Sequence, residues 1–221
     1  MNHIIAIHKP SGMKSHDVID QVRKITGIKK VGHGGTLDPF ASGVLVIAIG
    51  REYTKQLDAF VKGGKEYIAK IMLGFHSTTD DRSGELTPAS PPEYIIDSNM
   101  VSQAVNSFIG DVTQIPPKYS ALKIKGTPAH RRIRRRENFE MEARQVKIYD
   151  IETISYQYPY INLRVVTGPG VYIRALARDI GEKLSTGAYL DELQRTRVNN
   201  FTIDEALTLE EFKNEWIANK L

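Results

Sequence analysis

Residues 32–49 read Gly32-His33-Gly34-Gly35-Thr36-Leu37-Asp38-Pro39-Phe40-Ala41-Ser42-Gly43-Val44-Leu45-Val46-Ile47-Ala48-Ile49. The last six are the longest apolar run in the chain, far too short for a membrane span and the right length for a fully buried strand. Four glycines in the preceding twelve residues imply backbone that approaches something closely or turns through positive φ. Asp38 stands before Pro39, so its backbone is pushed to an extended conformation and its side chain is held in a defined direction. Taken alone, Asp-Pro is also an ordinary turn starter.

Upstream, His3 to His8 reads as a strand and Pro10-Ser11-Gly12 as a turn. Ser15 is placed to cap a helix whose Val18, Val22 and Ile25 share a face, closed by Gly27. Downstream, Tyr67 to Leu73 reads as a strand, Ser77 to Gly84 as a polar loop, and Asp97 as the cap of a helix bearing Val101, Val105 and Phe108. Val146 to Tyr156 and Tyr160 to Thr167 form a strand pair around Pro159; Tyr172 to Leu184 and Leu209 to Ala218 read as amphipathic helices. Strands and helices mix without a regular βαβ rhythm, which indicates an α+β fold. With no repeat and no linker, one domain over 1–221 is expected.

Composition narrows the chemistry. The 221 residues are 41% hydrophobic and 25% charged, enough to build a core and unlike a disordered chain. With no cysteine, disulfides, cysteine zinc sites and thiol nucleophiles are excluded. The apolar stretch Ile4 to Ile7 is too short for a signal peptide, so a cytoplasmic protein is expected. There is no GxxxxGK[ST], no GxGxxG after a strand and no HExxH, and the six histidines lack metal-ligand spacing. Neither a metal nor a cofactor is expected.

The net charge of +4 is unevenly spread. Lys118, Lys123, Lys125, Arg131, Arg132, Arg134, Arg135 and Arg136 fall within nineteen residues that hold no acid; the other 202 residues carry 22 basic and 26 acidic side chains. A charge run is usually a solvated helix face. Here nothing inside the run offsets the repulsion, and arginine outnumbers lysine five to three, which favours binding to a phosphate backbone.

The run GHGGTLDPFASGVL resembles the signature GH(x)G(x)LDP(x)A(x)G(x)L of the TruB family of RNA pseudouridine synthases. The resemblance continues through Lys9-Pro10-Ser11-Gly12, Lys65-Glu66-Tyr67, Ile115 to Lys123, Tyr172-Ile173-Arg174, Gly187-Ala188 and Leu193, in the family's order. It implies a pseudouridine synthase fold: a mixed, mostly antiparallel central sheet flanked by helices, with a basic thumb loop at about 116–138. It also implies conversion of uridine to pseudouridine, in bacteria at position 55 in the T-loop of tRNA, with no cofactor. By the same resemblance Asp38 is the nucleophile, Arg174 pairs with it, and Tyr67 lies on the flipped base. His33 takes the space the base vacates, and Tyr172 and Leu193 line the uracil pocket. The eight basic residues would grip the T-stem-loop, and the protein would act as a monomer.

The chain departs from the family pattern in places. The run His130 to Arg136 replaces an aromatic and a later alanine-arginine pair, and Thr167-Gly168-Pro169-Gly170-Val171 replaces a Ser/Cys-Lys-Gly-Thr run. From the length, the C-terminal RNA-binding (PUA) domain of many relatives is expected to be missing. Two other readings are a tRNA-binding folding chaperone without turnover and a guide-RNA-dependent relative acting on ribosomal RNA.

Overall fold

A computed structural model of the chain describes residues 3–124 and 126–218. In chain order the elements begin with β1 (Ile4–Lys9), α1 (Ser15–Thr26), β2 (Val31–Gly34), β3 (Ser42–Ile49), α2 (Arg51–Val61), β4 (Lys65–Leu73), β5 (Phe75–Ser77) and β6 (Leu86–Pro88). They continue with α3 (Ser98–Asn106), β7 (Gly110–Gln114), β8 (Lys123–Ile124), β9 (Thr127–Pro128), α4 (Ala129–Arg134), β10 (Arg144–Gln157) and β11 (Tyr160–Thr167). The last are α5 (Ile173–Lys183), β12 (Ala188–Val198), β13 (Phe201–Thr202) and α6 (Leu209–Ala218). The chain groups into two compact units, Met1–Ile68 with Leu193–Leu221, and Ala69–Glu192. The boundaries fall inside β4 and β12, where no change of composition could mark a linker. No described helix is long and apolar enough to cross a membrane.

In the first unit β3 is the central strand. It pairs antiparallel with β1 from Lys9↔Gly43 to Ile4↔Ala48. Its other edge is shared by β12, parallel at Gln194↔Ser42 and Arg195↔Gly43, and by β2, antiparallel from Gly34↔Val46 to Val31↔Ile49. Successive residues of a strand point to opposite faces, and here both faces are covered. Leu45, Ile47 and Ile49 pack with Val18, Ile19 and Val22 of α1 and with Phe212 and Trp216 of α6. Val44, Val46 and Ala48 pack on the other side with Leu57 of α2 and Val198 of β12. A continuous apolar run is what such a doubly covered strand requires. α1 ends at Gly27, in the left-handed region at φ 73°, as its sequence implies.

The helix start differs from expectation. Residue 14 is the cap, and the carboxylate of Asp17 accepts the Lys14 N–H at 2.9 Å. Ser15 is the first helical residue, and its hydroxyl is used elsewhere, as described below.

In the second unit the strand order is β12-β4-β11-β10-β7. The β10–β11 hairpin is antiparallel from Ile148↔Thr167 to Gln157↔Tyr160, and β10 also pairs antiparallel with β7. Ile161, Leu163, Val165 and Thr167 alternate inward along β11, the period that a strand with one buried face shows. α3 is capped as expected, Asp97 accepting the Met100 N–H at 2.8 Å, but it ends at Asn106 and leaves Phe108 outside. α5 buries Ile173, Arg174, Ala175, Leu176 and Ala177, so its first turn is enclosed on all sides, and then Ile180 and Gly181. The helix α2 and the strand β12 are elements that the periodicity reading does not provide.

Candidate active site

The loop between β2 and β3 is held at nearly every residue. Ser15 Oγ donates to the Leu37 carbonyl and accepts the Leu37 N–H, both at 2.9 Å. The Gly12 N–H donates to the Pro39 carbonyl at 2.7 Å, and Ser11 Oγ to the Phe40 carbonyl at 2.6 Å. Ala41 N–H closes a turn onto the Asp38 carbonyl at 3.1 Å. Leu37 and Phe40 are buried, so their side chains anchor the loop in the core and leave Asp38 half-buried between them. Asp-Pro is thus both a turn and a presentation device for one carboxylate.

Two buried cations brace this loop. Lys9, with no exposed surface, donates through Nζ to the carbonyls of Met13 at 2.7 Å, Pro10 at 2.9 Å and Pro39 at 3.4 Å. Burial lowers its pKa to about 8, partly offset by the negative charge of Asp38. Arg195 of β12 is 2% exposed and donates through Nε to the Val44 carbonyl at 2.8 Å and through Nη2 to the Gly35 carbonyl at 2.9 Å. It is also hydrogen-bonded to the phenol of Tyr67. Burial pulls its pKa down while Tyr67 and Asp38 oppose that, and a guanidinium remains charged at neutral pH.

Tyr67, on β4, is buried. Burial pushes its phenol pKa up; the Arg195 charge and hydrogen bond pull it down, and Asp38 adds to the upward push. Leu193, also buried, precedes Arg195 by two residues on β12 and so shares its face of the strand. His33 has its pKa lowered by burial, then by Arg195 and His16, and its Nδ1 is buried without a hydrogen bond among the described residues. A neutral imidazole follows. Asp38, Tyr67, His33 and Leu193 therefore belong to the first unit, around a guanidinium that sequence reasoning missed. A basic residue inside a strand reads as solvent-facing; the only available signal was its even spacing from Leu193.

The second unit holds the other expected residues. Arg174, 4% exposed, pairs through Nη1 with Asp81 Oδ2 at 3.3 Å and donates to the Thr79 carbonyl. Its Nη2 donates to the Tyr119 carbonyl at 3.0 Å. Asp81 is a carboxylate partner that the sequence reading did not supply. It is itself organised, Oδ1 accepting from Thr79 Oγ1 and the Ser83 N–H, both at 2.8 Å. Tyr172 caps α5, and its backbone exchanges two hydrogen bonds with the side-chain amide of Gln114, at 2.9 and 3.1 Å.

In the basic segment, β8 and β9 form a two-residue ladder followed by α4. Lys118, Lys123, Arg131, Arg134, Arg135 and Arg136 are exposed; Lys125 lies outside the described residues. The expected lack of internal neutralisation needs correction. Arg136 is left-handed at φ 56°, and the turn brings Glu137, the first acid after the run, to 3.2 Å from Arg132 and 3.8 Å from Arg135.

Residues 23–173 match the model of the TruB family pseudouridylate synthase N-terminal domain, and residues 174–220 match that of the tRNA pseudouridylate synthase B C-terminal domain. The chain belongs to the TruB family. Among TruB relatives, the tRNA pseudouridine synthase B of Clostridium tetani is 42% identical over 97% of this chain and 74% of its own length. That of Corynebacterium diphtheriae is 46% identical over 95% and 72%. Among solved structures, a Cbf5-Nop10-Gar1 complex matches at a TM-score of 0.76 and 31% identity, covering 99% of this chain. The chain spans 56% of the length of that matched chain. The pseudouridine synthase fold implied by the TruB signature is the fold of this chain, and the signature itself spans β2, the braced loop and the start of β3.

Proposed function

We propose that this chain isomerises uridine to pseudouridine at position 55 in the T-loop of tRNA, as a cytoplasmic monomer, with Asp38, Tyr67 and Arg174 as its catalytic residues. The observation that carries the reading is a single carboxylate, Asp38, presented by a loop braced at Gly35, Leu37 and Pro39, in a TruB-family chain whose relatives are named tRNA pseudouridine synthase B.

The reaction breaks the C1′–N1 bond, turns the base and forms a C1′–C5 bond; C5 gives up its hydrogen as a proton and N1 gains one. Atoms balance without redox chemistry. Asp38 serves as the nucleophile toward the nucleotide, and Lys9 and Arg195 favour its ionised form. The resemblance assigns Arg174 the task of keeping that carboxylate ionised and oriented. Tyr67 offers a ring face to the extruded base. Stacking recovers about 1–3 kcal/mol of the cost of flipping. His33, neutral, fills the vacated position without adding charge, and Tyr172 and Leu193 border the uracil. The exposed cations of 118–136 bind the phosphates of the T-stem-loop.

Tritium release from 5-labelled uridine in unmodified tRNA tests this directly. Asp38→Asn is expected to keep tRNA binding and lose release; turnover by that variant removes Asp38 from the role. Wild-type protein that binds tRNA without release would instead favour a folding chaperone. The guide-RNA-dependent reading requires that bare tRNA is not turned over, so activity on bare tRNA excludes it.

A further inference from the structure

Two consecutive aspartates after β5 each take one arginine of α5, the arginines lying one helical turn apart. Asp81 meets Arg174, and Asp80 Oδ2 meets Arg178 Nη1 at 2.9 Å. Each arginine also captures a backbone carbonyl of the segment that opens the basic thumb. Arg174 Nη2 takes Tyr119, and Arg178 Nη2 takes Ile115 at 2.9 Å. Asp179 Oδ1 holds the same guanidinium from the helix side, at 2.7 and 3.0 Å.

This arrangement answers a local problem. Pro116 and Pro117 have no N–H, so Ile115 to Tyr119 can be tied down mainly through its carbonyls. A cleft of about 470 Å³, lined in part by Asp80, Ile115, Pro116, Lys118 and Arg178, opens at this junction beside the buried Pro116 and Pro117, and the exposed Ile115 and Lys118 at its rim take little hold from packing. The aspartate loop is the firm side. Leu190 of β12 accepts the Arg82 N–H and donates to the Asp80 carbonyl, and Asp80 sits in the left-handed region at φ 59°.

We propose that Arg178 is a positioning residue for RNA binding: paired with Asp80, it holds the thumb root at Ile115 in fixed register with the helix that carries Arg174. The assignment rests on the reading of the 118–136 cations as the RNA grip. Arginine is required because its planar fork reaches two carboxylates and a carbonyl at once, which the point charge of lysine does not.

The test is a binding cycle on unmodified tRNA, with Kd read by anisotropy and kcat by tritium release at saturating tRNA. Arg178→Lys and the nearly isosteric Asp80→Asn should each weaken Kd about tenfold, the worth of one charge-assisted hydrogen bond, with kcat within about threefold of wild type. In a background where Arg131, Arg134 and Arg136 are serine, Arg178→Lys should cost less than about twofold, because the thumb it positions no longer binds. Full additivity in that background, or a loss confined to kcat, overturns the proposal. Should Arg178→Lys fold poorly, Asp80→Asn in the same cycle decides. A wild type that binds tRNA but releases no tritium refutes the catalytic reading while leaving the binding cycle readable.

Discussion

Ser15 and Leu37, 22 residues apart, exchange two hydrogen bonds, the serine hydroxyl donating to the leucine carbonyl and accepting its N–H, both at 2.9 Å. The first residue of α1 thereby fixes the residue that precedes Asp38.

Ser15→Ala leaves both Leu37 backbone groups buried and unpaired, at about 1–3 kcal/mol each. Urea unfolding should show a loss of about 2 kcal/mol or more, and kcat should fall with it. Ser15→Thr, which keeps the hydroxyl, should recover most of both. Wild-type stability and turnover in the alanine variant would mean the loop is held without this bond.

Arg195→Lys retains the charge but cannot span Val44, Gly35 and Tyr67. Single-turnover tritium release should slow by at least about tenfold, the worth of one charge-assisted bond. The loss should be smaller in a Tyr67→Phe background, since part of it passes through the phenol. Equal losses in both backgrounds would confine Arg195 to bracing the loop.

A side chain at Gly43 would place its Cβ 2.2 Å from the carbonyl oxygen of Arg195, at φ 108°. Neither strand can give way, so Gly43→Ala should cost about 3 kcal/mol or more. Gly12→Ala, at φ 88° with nothing within 4 Å, should cost only its backbone strain, about 1 kcal/mol. Comparable melting temperatures for the two variants would contradict the close strand approach.

Lys9 titrates at about 8 in the folded chain against 10.5 in an unfolded one. Between those values the unfolded chain binds more protons, so this group makes stability rise with pH across that window and has no such effect below it. Urea unfolding of wild type and Lys9→Met at several pH values isolates the contribution. The stability difference, wild type minus variant, should increase from pH 8 to 10; a flat or falling difference would show that the ammonium is not destabilised by its burial.

For the thumb, replacing Arg131, Arg134 and Arg136 by serine should lower the salt dependence of tRNA binding by about 2 logarithmic units per decade, near 0.7–0.9 for each phosphate that is no longer neutralised. Arg132→Ser alone should change it less, because Glu137 already neutralises that guanidinium. An unchanged slope in the triple variant would return the run to a solvated face.

The elements that sequence made legible are those whose signal is local and periodic. β3 declares itself by six consecutive apolar residues, α1 by its stripe and Gly27, and β11 by Ile161, Leu163 and Val165 at every second residue. Asp38, Tyr67 and Arg174 stand out through motif order alone. β12 escaped notice because Asp191, Glu192, Arg195 and Arg197 interrupt its apolar residues, although its burial still places Leu193 and Arg195 inward.

The sequence alone therefore determined which carboxylate the family signature singles out, where the basic charge is concentrated and which segments alternate or repeat every turn, since these follow from neighbours along the chain. Tertiary structure decided what each polar group bonds to. Arg195 reaches Gly35 across 160 residues and Val44 across 151, Ser15 serves Leu37 in place of its own helix, and Asp80 and Asp81 find arginines almost 100 residues away. A buried donor or acceptor must be paired wherever the fold brings a partner, and no periodicity along the chain encodes which partner that will be.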